Sequence, residues 1–569
     1  MSAIVILVLG LAAMAAGYFL YSKFIAEKIY RLDPDFKTPA HEYEDGVDFV
    51  PTNRFVLWGH HFTSVAGAAP IVGPAIAVIW GWVPAFLWVV FGTIFFAGVH
   101  DFGAIWASVR NKAKSVGALT GDVVGKRARS IFMIVIFLVL LMVNAVFAVV
   151  IAGLMMNFSS AVVPVWGAIL VALVIGQMIY RRKMSLPMVS IVGVVALYAL
   201  IGIGPSVPLQ MPAEVAGVSG NAIWILLLFG YAAIASLLPV WVLLQPRDYI
   251  NGLQLFVGLI ILYGAIVLMN PTMVAPAFND NVPAGTPSLL PLLFVTIACG
   301  AISGFHGLVS SGTTSKQLNR ETDARFVGYF GAVGEGMLAL AAILAATAGF
   351  ATLADWEGVY QKFNDGGVVA FVQGGGTIIE NGIGLPQSLS ATIMATTAIL
   401  FAATTMDTGV RLQRFVVQEI GDLAGVRLGK AVATVIAVGI ALALTFGAGA
   451  DGSGGMLIWP LFGTTNQLMA ALTLSILAIM LMRRGRTPLP ALIPLAFVAV
   501  MTIYALFIQL GTFYDAQNWL LLVLDVVILV AAVWVIVEAF IAMKDARSYD
   551  GDDDAELAAI DAEEVRARD

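Results

Sequence analysis

The residues Trp58-Gly-His-His-Phe-Thr-Ser-Val-Ala-Gly-Ala-Ala-Pro-Ile-Val-Gly-Pro74 set two adjacent histidines, the hydroxyls of Thr63 and Ser64, and Pro70 and Pro74 inside a run apolar enough to cross a membrane. Imidazoles move protons near neutral pH. Glycine and proline leave backbone amides and carbonyls without helical partners. Lipid cannot satisfy such groups, so this segment must be sheltered by other helices or line a wet cavity. Broken membrane helices of this kind hold the substrates and ions of secondary transporters.

Four further segments carry polar chemistry into apolar runs. In His100-Asp101-Phe-Gly103 a carboxylate sits beside an imidazole. A charge at bilayer depth costs about 2.5–3.5 kcal/mol, so Asp101 is expected to accept a proton, hold a cation, or pair with an arginine such as Arg110. Ser236-Leu-Leu-Pro239 and Leu244-Gln-Pro-Arg-Asp-Tyr249 form a second interrupted segment. There Pro239 frees a carbonyl, and Pro246 is expected to end the helix near Gln245. Between Ala298 and Lys316 lie Ser303, His306, Ser310, Ser311, Thr313 and Thr314. Spacing puts Ser303, His306 and Ser310 on one helical face, able to line a water path or offer oxygens to a cation. Gly300, Gly304 and Gly307 would let a neighbouring helix approach closely. Small-residue helix contact is the alternative, although it has no need of a histidine. In Ala403-Thr-Thr-Met-Asp-Thr-Gly-Val-Arg411, Asp407 and Arg411 are an i, i+4 pair near a helix end, with Thr404 and Thr405 deeper. Gly452 to Gln467 repeats the Gly/Pro-broken pattern, with Pro460 and Asn466 as elements of a peripheral gate. Glu335 is a further carboxylate in an apolar run, with no partner identifiable from spacing.

The elements that must position these groups are membrane helices. Hydrophobic residues make up 60% of the 569 and charged residues 12%, and mean hydropathy is +0.92. Soluble domains sit near half apolar and a quarter charged. About fifteen runs are long enough to span a bilayer: near 3–22, 61–80, 82–108, 130–156, 161–180, 187–205, 221–245, 254–270, 289–315, 326–353, 386–410, 429–448, 456–482, 488–510 and 518–543. With the N-terminus outside and alternating spans, all of the 30 Lys and Arg except Lys362 fall on the cytoplasmic side. That bias also puts the C-terminus in the cytoplasm. The first run lacks a basic leader and a small-residue cleavage site, so it reads as a retained anchor. The outer segment 354–385 reads as a plain extracellular loop, with a re-entrant turn or gate as the alternative.

Several classes are excluded. Cys299 is the single cysteine, so intrachain disulfides and cysteine metal clusters are ruled out. No Walker A, His-Glu-x-x-His or Cys-x-x-Cys motif occurs, so no ATP-driven pump is encoded. A haem subunit is disfavoured, because adjacent histidines point to different sides of a helix. A passive channel is the other rival to a carrier. The expected organisation is 1–57 as an anchor helix and cytoplasmic connection, 58–410 as a transporter core, 411–547 as peripheral C-terminal helices, and 548–569 as an acidic, mobile tail.

The chain resembles the carbon starvation CstA family of bacterial inner-membrane proteins. The resemblance rests on Gly59-His-His-Phe with Ala66-Gly-Ala-Ala-Pro-Ile-Val-Gly-Pro74, on Asp101-Phe, on Pro246-Arg-Asp-Tyr249 and on Cys299-Gly-Ala-Ile-Ser-Gly-Phe-His. It continues through Ser310-Ser-Gly-Thr-Thr314, Glu321-Thr-Asp-Ala-Arg325 and Trp459-Pro-Leu-Phe-Gly463 with Asn466-Gln467. It implies a multi-pass secondary transporter of the bacterial inner membrane, importing pyruvate or a similar small carboxylate by H+ or Na+ symport with alternating access. Short-peptide uptake is the alternative. The implied fold is all-α, with a LeuT-like five-plus-five inverted-repeat core akin to the amino acid–polyamine–organocation transporters. On that analogy 61–80 is the first core helix, 221–245 its inverted mate, and 289–315 the eighth, facing a sodium-like site.

The substrate contacts expected are Ser64, Ala66, Gly67, Ala68, Pro70, Gln245 and Thr404. Those expected for ion or proton coupling are His60, His61, Asp101, Ser303, His306, Ser310, Ser311, Thr313, Thr314 and Asp407. No catalytic residue, metal site or cofactor is expected beyond the coupling ion. The partners are a small-molecule substrate and membrane lipid, with no nucleic acid. The sequence sets no oligomeric state.

Overall fold

The computed structural model describes residues 1–363, 366–447 and 449–547. The acidic tail expected at 548–569 lies outside them. Among the described residues, twelve helices are long and apolar enough to cross a membrane, or thirteen if the bent pair Arg54–Ala66 and Ala69–Trp80 is one span. The chain is therefore an all-helical, multi-pass membrane protein. Besides that bent pair, two of the fifteen expected runs do not make spans. The run near 289–315 is divided into Leu289–Thr296 and Gly304–Gly312. The run near 429–448 forms a helix at Lys430–Phe446, 17 residues long.

The first broken span follows from its sequence. Asn53 caps it, its side chain accepting from the Phe55 amide at 2.9 Å. The helix stops at Gly67, whose φ of +56° is a conformation that glycine adopts without penalty. Pro70 then sits in the first turn of the second half, where its missing N–H costs nothing. The halves diverge by 44°.

The second broken span lies antiparallel against the first. His61 meets Thr314 near one end, and Gly73 abuts the Thr296 carbonyl and Ile297 near the other. Gly304 presses on the backbone of Asn466 and Ala470, in the Trp459–Arg483 helix. This is the close approach that the glycines of this segment implied.

Two expectations need correction. Pro246 does not end a helix near Gln245. It lies in the first turn of Leu244–Met269, a helix of 26 residues. The preceding helix stops at Leu237, and Pro239 occupies the turn between them. A proline removes one donor, and the first turn is where that donor has no intrahelical acceptor. The segment near 221–245 is thus two helices, and the broken neighbour of the first broken span is 289–312. The outer segment 354–385 is not a plain loop either. It carries the helices Leu353–Val359 and Gly367–Ile383. The second packs on Leu244–Met269, Phe330–Ala348 and Gln387–Leu423. Gly374 there lies directly against Ala345 and Gly349.

A side chain at Gly73 should drive the two broken spans apart. Gly73→Val is expected to destabilise the protein by about 1–3 kcal/mol, read as a lowered thermal midpoint of purified protein in detergent. Gly439→Val should leave the midpoint unchanged, because an added Cβ there meets no atom within 4 Å.

Candidate functional site

The break in the first span frees carbonyls, and the protein supplies their donors. Thr404 donates to the Thr63 carbonyl at 2.9 Å, and Thr405 to the Ser64 carbonyl at 3.0 Å. Both hydroxyls come from Gln387–Leu423, a helix of 37 residues. The break in the second span is closed in the same way. Asn466 accepts from the Phe305 amide at 2.8 Å and donates to Ser303 Oγ at 2.9 Å and Cys299 Sγ at 3.1 Å. Trp88 donates to the Ile297 carbonyl at 3.2 Å, and Gln467 to the Phe294 carbonyl at 2.5 Å.

Two buried charge clusters flank these breaks. The first centres on Arg247. Its Nε and Nη2 donate to Asp248 Oδ1 at 2.9 and 2.6 Å. Its Nη1 donates to the Tyr231 hydroxyl at 2.7 Å and to Asp407 Oδ2. The other Asp248 oxygen lies 2.8 Å from His60 Nδ1 and accepts from Ser64 Oγ at 3.4 Å. Ser64 also meets Thr408 Oγ1 at 3.1 Å. Gly59 makes this possible, because a Cβ there would stand 2.8 Å from the Tyr249 Cα and hold the helices apart. Arg247, Asp248 and Asp407 are all buried. One guanidinium thus faces two carboxylates, and the ionised groups sum to one negative charge.

The second cluster centres on Asp101. His100 Nδ1 lies 2.7 Å from Asp101 Oδ1, and His306 Nδ1 lies 2.8 Å from Asp101 Oδ2. The far nitrogen of His306 is 3.4 Å from Glu335 Oε2, an ion-pair distance too loose for a good hydrogen bond. The other Glu335 oxygen has no hydrogen-bond partner. Because both nitrogens of His306 face carboxylates, the ring can donate to both only when it carries a second proton.

The expected residues divide between these places. His60 and His61 point to opposite sides of their helix, His60 to Asp248 and His61 Nδ1 to Thr314 Oγ1 at 2.9 Å. Asp101 and His306 pair directly, and Ser310 donates to the Asp101 main-chain carbonyl at 3.4 Å. Ser311 instead accepts from the Val116 amide at 3.0 Å, and Thr313 donates to the Val309 carbonyl at 3.0 Å. The hydroxyls of 303–314 therefore do not converge on one point. Ala66, Gly67, Ala68 and Pro70 are buried at the first break. A Cβ at Gly67 would lie 2.7 Å from Thr405 Oγ1 and 2.8 Å from the Phe147 ring. Gln245 joins Gln317 at 2.5 Å, Tyr180 at 2.5 Å and Thr52 at 3.2 Å.

Two anticipated pairings are absent. Arg110 binds Glu321 at 2.5 and 2.7 Å rather than Asp101. Arg411 reaches Asp48 at 3.4 Å and the Leu238 carbonyl, while its i−4 neighbour Asp407 turns to Arg247. Helical spacing permits a pair, but a buried guanidinium on another helix outcompetes it.

Sequence reasoning missed Arg247, Tyr231, Asp248 and Asn251, and left Glu335 without a partner. The available signal was the Arg-Asp pair directly after Pro246, two charged residues beside a long apolar run. Arg247, Tyr231 and Asn251 form the polar side of a small cavity of about 20 Å³, whose other walls include Trp166, Met155, Leu228, Leu400 and Ala403. An arginine and a phenol set in apolar walls suit a small ligand bearing one carboxylate.

Known proteins are similar to this chain along most of its length. The profile of the carbon starvation protein CstA family matches residues 2–356 and 350–505. The peptide transporter CstA of Campylobacter jejuni subsp. jejuni serotype O:2 is 33% identical over 563 residues, covering 88% of this chain and 80% of that protein. The pyruvate/proton symporter BtsT of Escherichia coli strain K12 is 31% identical over 603 residues, covering 91% of this chain and 84% of that protein. Among solved structures, a mutant manganese transporter of Eremococcus coleocola aligns over 88% of this chain and 99% of that chain, at 11% identity and a TM-score of 0.49.

Removing His306 would strip buried Asp101 of one partner and Glu335 of its nearest cation. His306→Ala is expected to destabilise the protein by about 3–5 kcal/mol. Thr313→Ala, which loses one hydrogen bond back to its own helix, should cost about 1 kcal/mol or less. Thermal unfolding of both variants in one detergent checks the difference.

Proposed function

Because the chain belongs to the carbon starvation protein CstA family, we propose that it is a secondary active transporter importing pyruvate or a similar small carboxylate. The observation that carries this reading is the pair of broken spans packed antiparallel along one another, flanked by buried ion pairs. Discontinuous helices at mid-membrane are where carriers bind substrate and coupling ion. Buried ionisable groups in membrane helices are costly and are kept for function. On this reading no reaction is catalysed and no cofactor is held. The protein is a multi-pass carrier of the bacterial inner membrane, with its N-terminus outside and C-terminus in the cytoplasm.

The core is 58–410, organised as a five-plus-five inverted repeat around the broken spans and joined by the buried helix Trp459–Arg483, with the rest of 411–547 peripheral. Alternating access is a rocking of one set of helices against the other about these breaks. The antiparallel seating of the two broken spans supports that arrangement. Counting five spans on makes the segment near 221–245 the mate of the first core helix, and 289–312, the eighth, its broken neighbour. His60, His61, Asp101, His306 and Asp407 are the groups available to carry a coupling proton. Ser303, Ser310, Ser311, Thr313 and Thr314 supply hydroxyls along the same path. The amides from Ala66 to Ala69 and the side chains of Ser64, Pro70 and Thr404 border the break. The name of the Escherichia coli relative, a pyruvate/proton symporter, and the limited size of the cavity beside Arg247 both favour a small acid. Short-peptide uptake is the second reading, supported by the name of the Campylobacter relative.

Reconstituted into proteoliposomes, the protein should concentrate labelled pyruvate when the outside is made acidic. A protonophore should abolish that accumulation. Equilibration without concentration would indicate a channel. Accumulation of a labelled dipeptide but not pyruvate would favour the peptide reading, and dependence on a sodium gradient would change the coupling ion.

A further inference from the structure

We propose that Arg247 binds the carboxylate of the transported substrate by exchanging its partner Asp407, which takes up the coupling proton as it is displaced. The proposal rests on the transporter reading and assigns it a recognition residue and an order of events.

Among the described residues, Arg247 is the only cationic side chain in the wall of the cavity, and the rest of that wall is apolar apart from Tyr231 and Asn251. A planar guanidinium recognises a carboxylate through two parallel hydrogen bonds, which an ammonium cannot reproduce. Its two acidic partners are held unequally. Asp248 is fixed from both sides, by Arg247 on one oxygen and by His60 and Ser64 on the other. Asp407 is held by Arg247 and stands beside the Tyr231 hydroxyl. It also lies on the helix whose two previous turns contribute Ala403 and Leu400 to the cavity wall. Asp407 is therefore the partner that an incoming carboxylate can replace.

Charge makes the exchange proton-linked. Arg247, Asp248 and ionised Asp407 sum to one negative charge. A bound substrate anion would raise this to two among buried side chains, where uncompensated charge is costly. A proton on a carboxylate oxygen of Asp407 returns the sum to one. No other bond is made or broken, since the Arg247 N–H donors move from Asp407 to the substrate. The groups facing Asp407 are Arg247 and Asp248 from Leu244–Met269 and Tyr231 from Gly220–Leu237. Arg411, one turn along its own helix, and His60, across Asp248, complete the set. Pyruvate and a dipeptide both end in a carboxylate, so the assignment holds for either.

Purified full-length protein should bind labelled pyruvate about tenfold more tightly for each unit the pH falls, as uptake of one linked proton requires. Unlabelled pyruvate should compete and pyruvamide should not. Asp407→Asn, uncharged and of the same shape, should flatten that pH dependence and lose proton-driven accumulation in proteoliposomes. Arg247→Lys should weaken binding by about tenfold or more. Wild-type binding that is independent of pH, or equal competition by pyruvamide, would overturn the proposal without any variant having to fold. Asp407→Asn protein that still accumulates pyruvate on a proton gradient would overturn it as well. Wild-type protein that takes up neither pyruvate nor glycylglycine would instead remove the transporter reading, and this assignment with it. If glycylglycine alone is carried, it and its amide replace pyruvate and pyruvamide in the same test.

Discussion

Every backbone group freed by a helix break inside a membrane must find its partner within the protein, because lipid offers none. The arrangement of this molecule follows from that requirement. Breaking the first span at Gly67 demands donors for the Thr63 and Ser64 carbonyls, and these set where the Gln387–Leu423 helix must run. Breaking the second span between Thr296 and Gly304 demands groups such as Asn466, Gln467 and Trp88. Their helices are thereby held to the core. Glycines at 59, 73 and 304 let the backbones close to the distances these bonds need.

Once those helices are in place, the ionisable groups have few ways to be satisfied. His60 and Asp248 meet because Gly59 lets their helices touch. Arg247 then bridges to Asp407 on a third helix, and His306 bridges Asp101 to Glu335. Each cluster shares one side chain, Arg247 or His306, between two carboxylates on different helices. The balance of such an arrangement changes when one proton or one small anion arrives, and a carrier that binds and releases an acid can use that change.

The membrane class, the positions of the helices and the family resemblance were legible in the order of the residues. Apolar runs reported the spans because their length is set by bilayer thickness. The break at Gly67 was legible because Gly and Pro act locally on the backbone. Spacing misled where local geometry left two outcomes open. Pro246 could stop a helix or start one, and Asp407 could pair with Arg411 or with a group on another helix. Residues 354–385 read as a plain extracellular loop, with runs of glycine at 366–367 and 374–376. Yet Gly374 and its neighbours permit the tight packing that makes Gly367–Ile383 a core helix.

By itself, then, the sequence determined that this is a multi-pass membrane protein of the CstA family with helices broken at glycine and proline. Those properties depend on composition and on near neighbours along the chain. Which broken span faces which, and which carboxylate Arg247 holds, only the tertiary structure decided. Asp407 lies 160 residues from Arg247 and Asp101 lies 205 from His306. No periodicity reports a contact between helices so far apart, because side-chain partners in a bundle are chosen by helix packing and by the burial of charge.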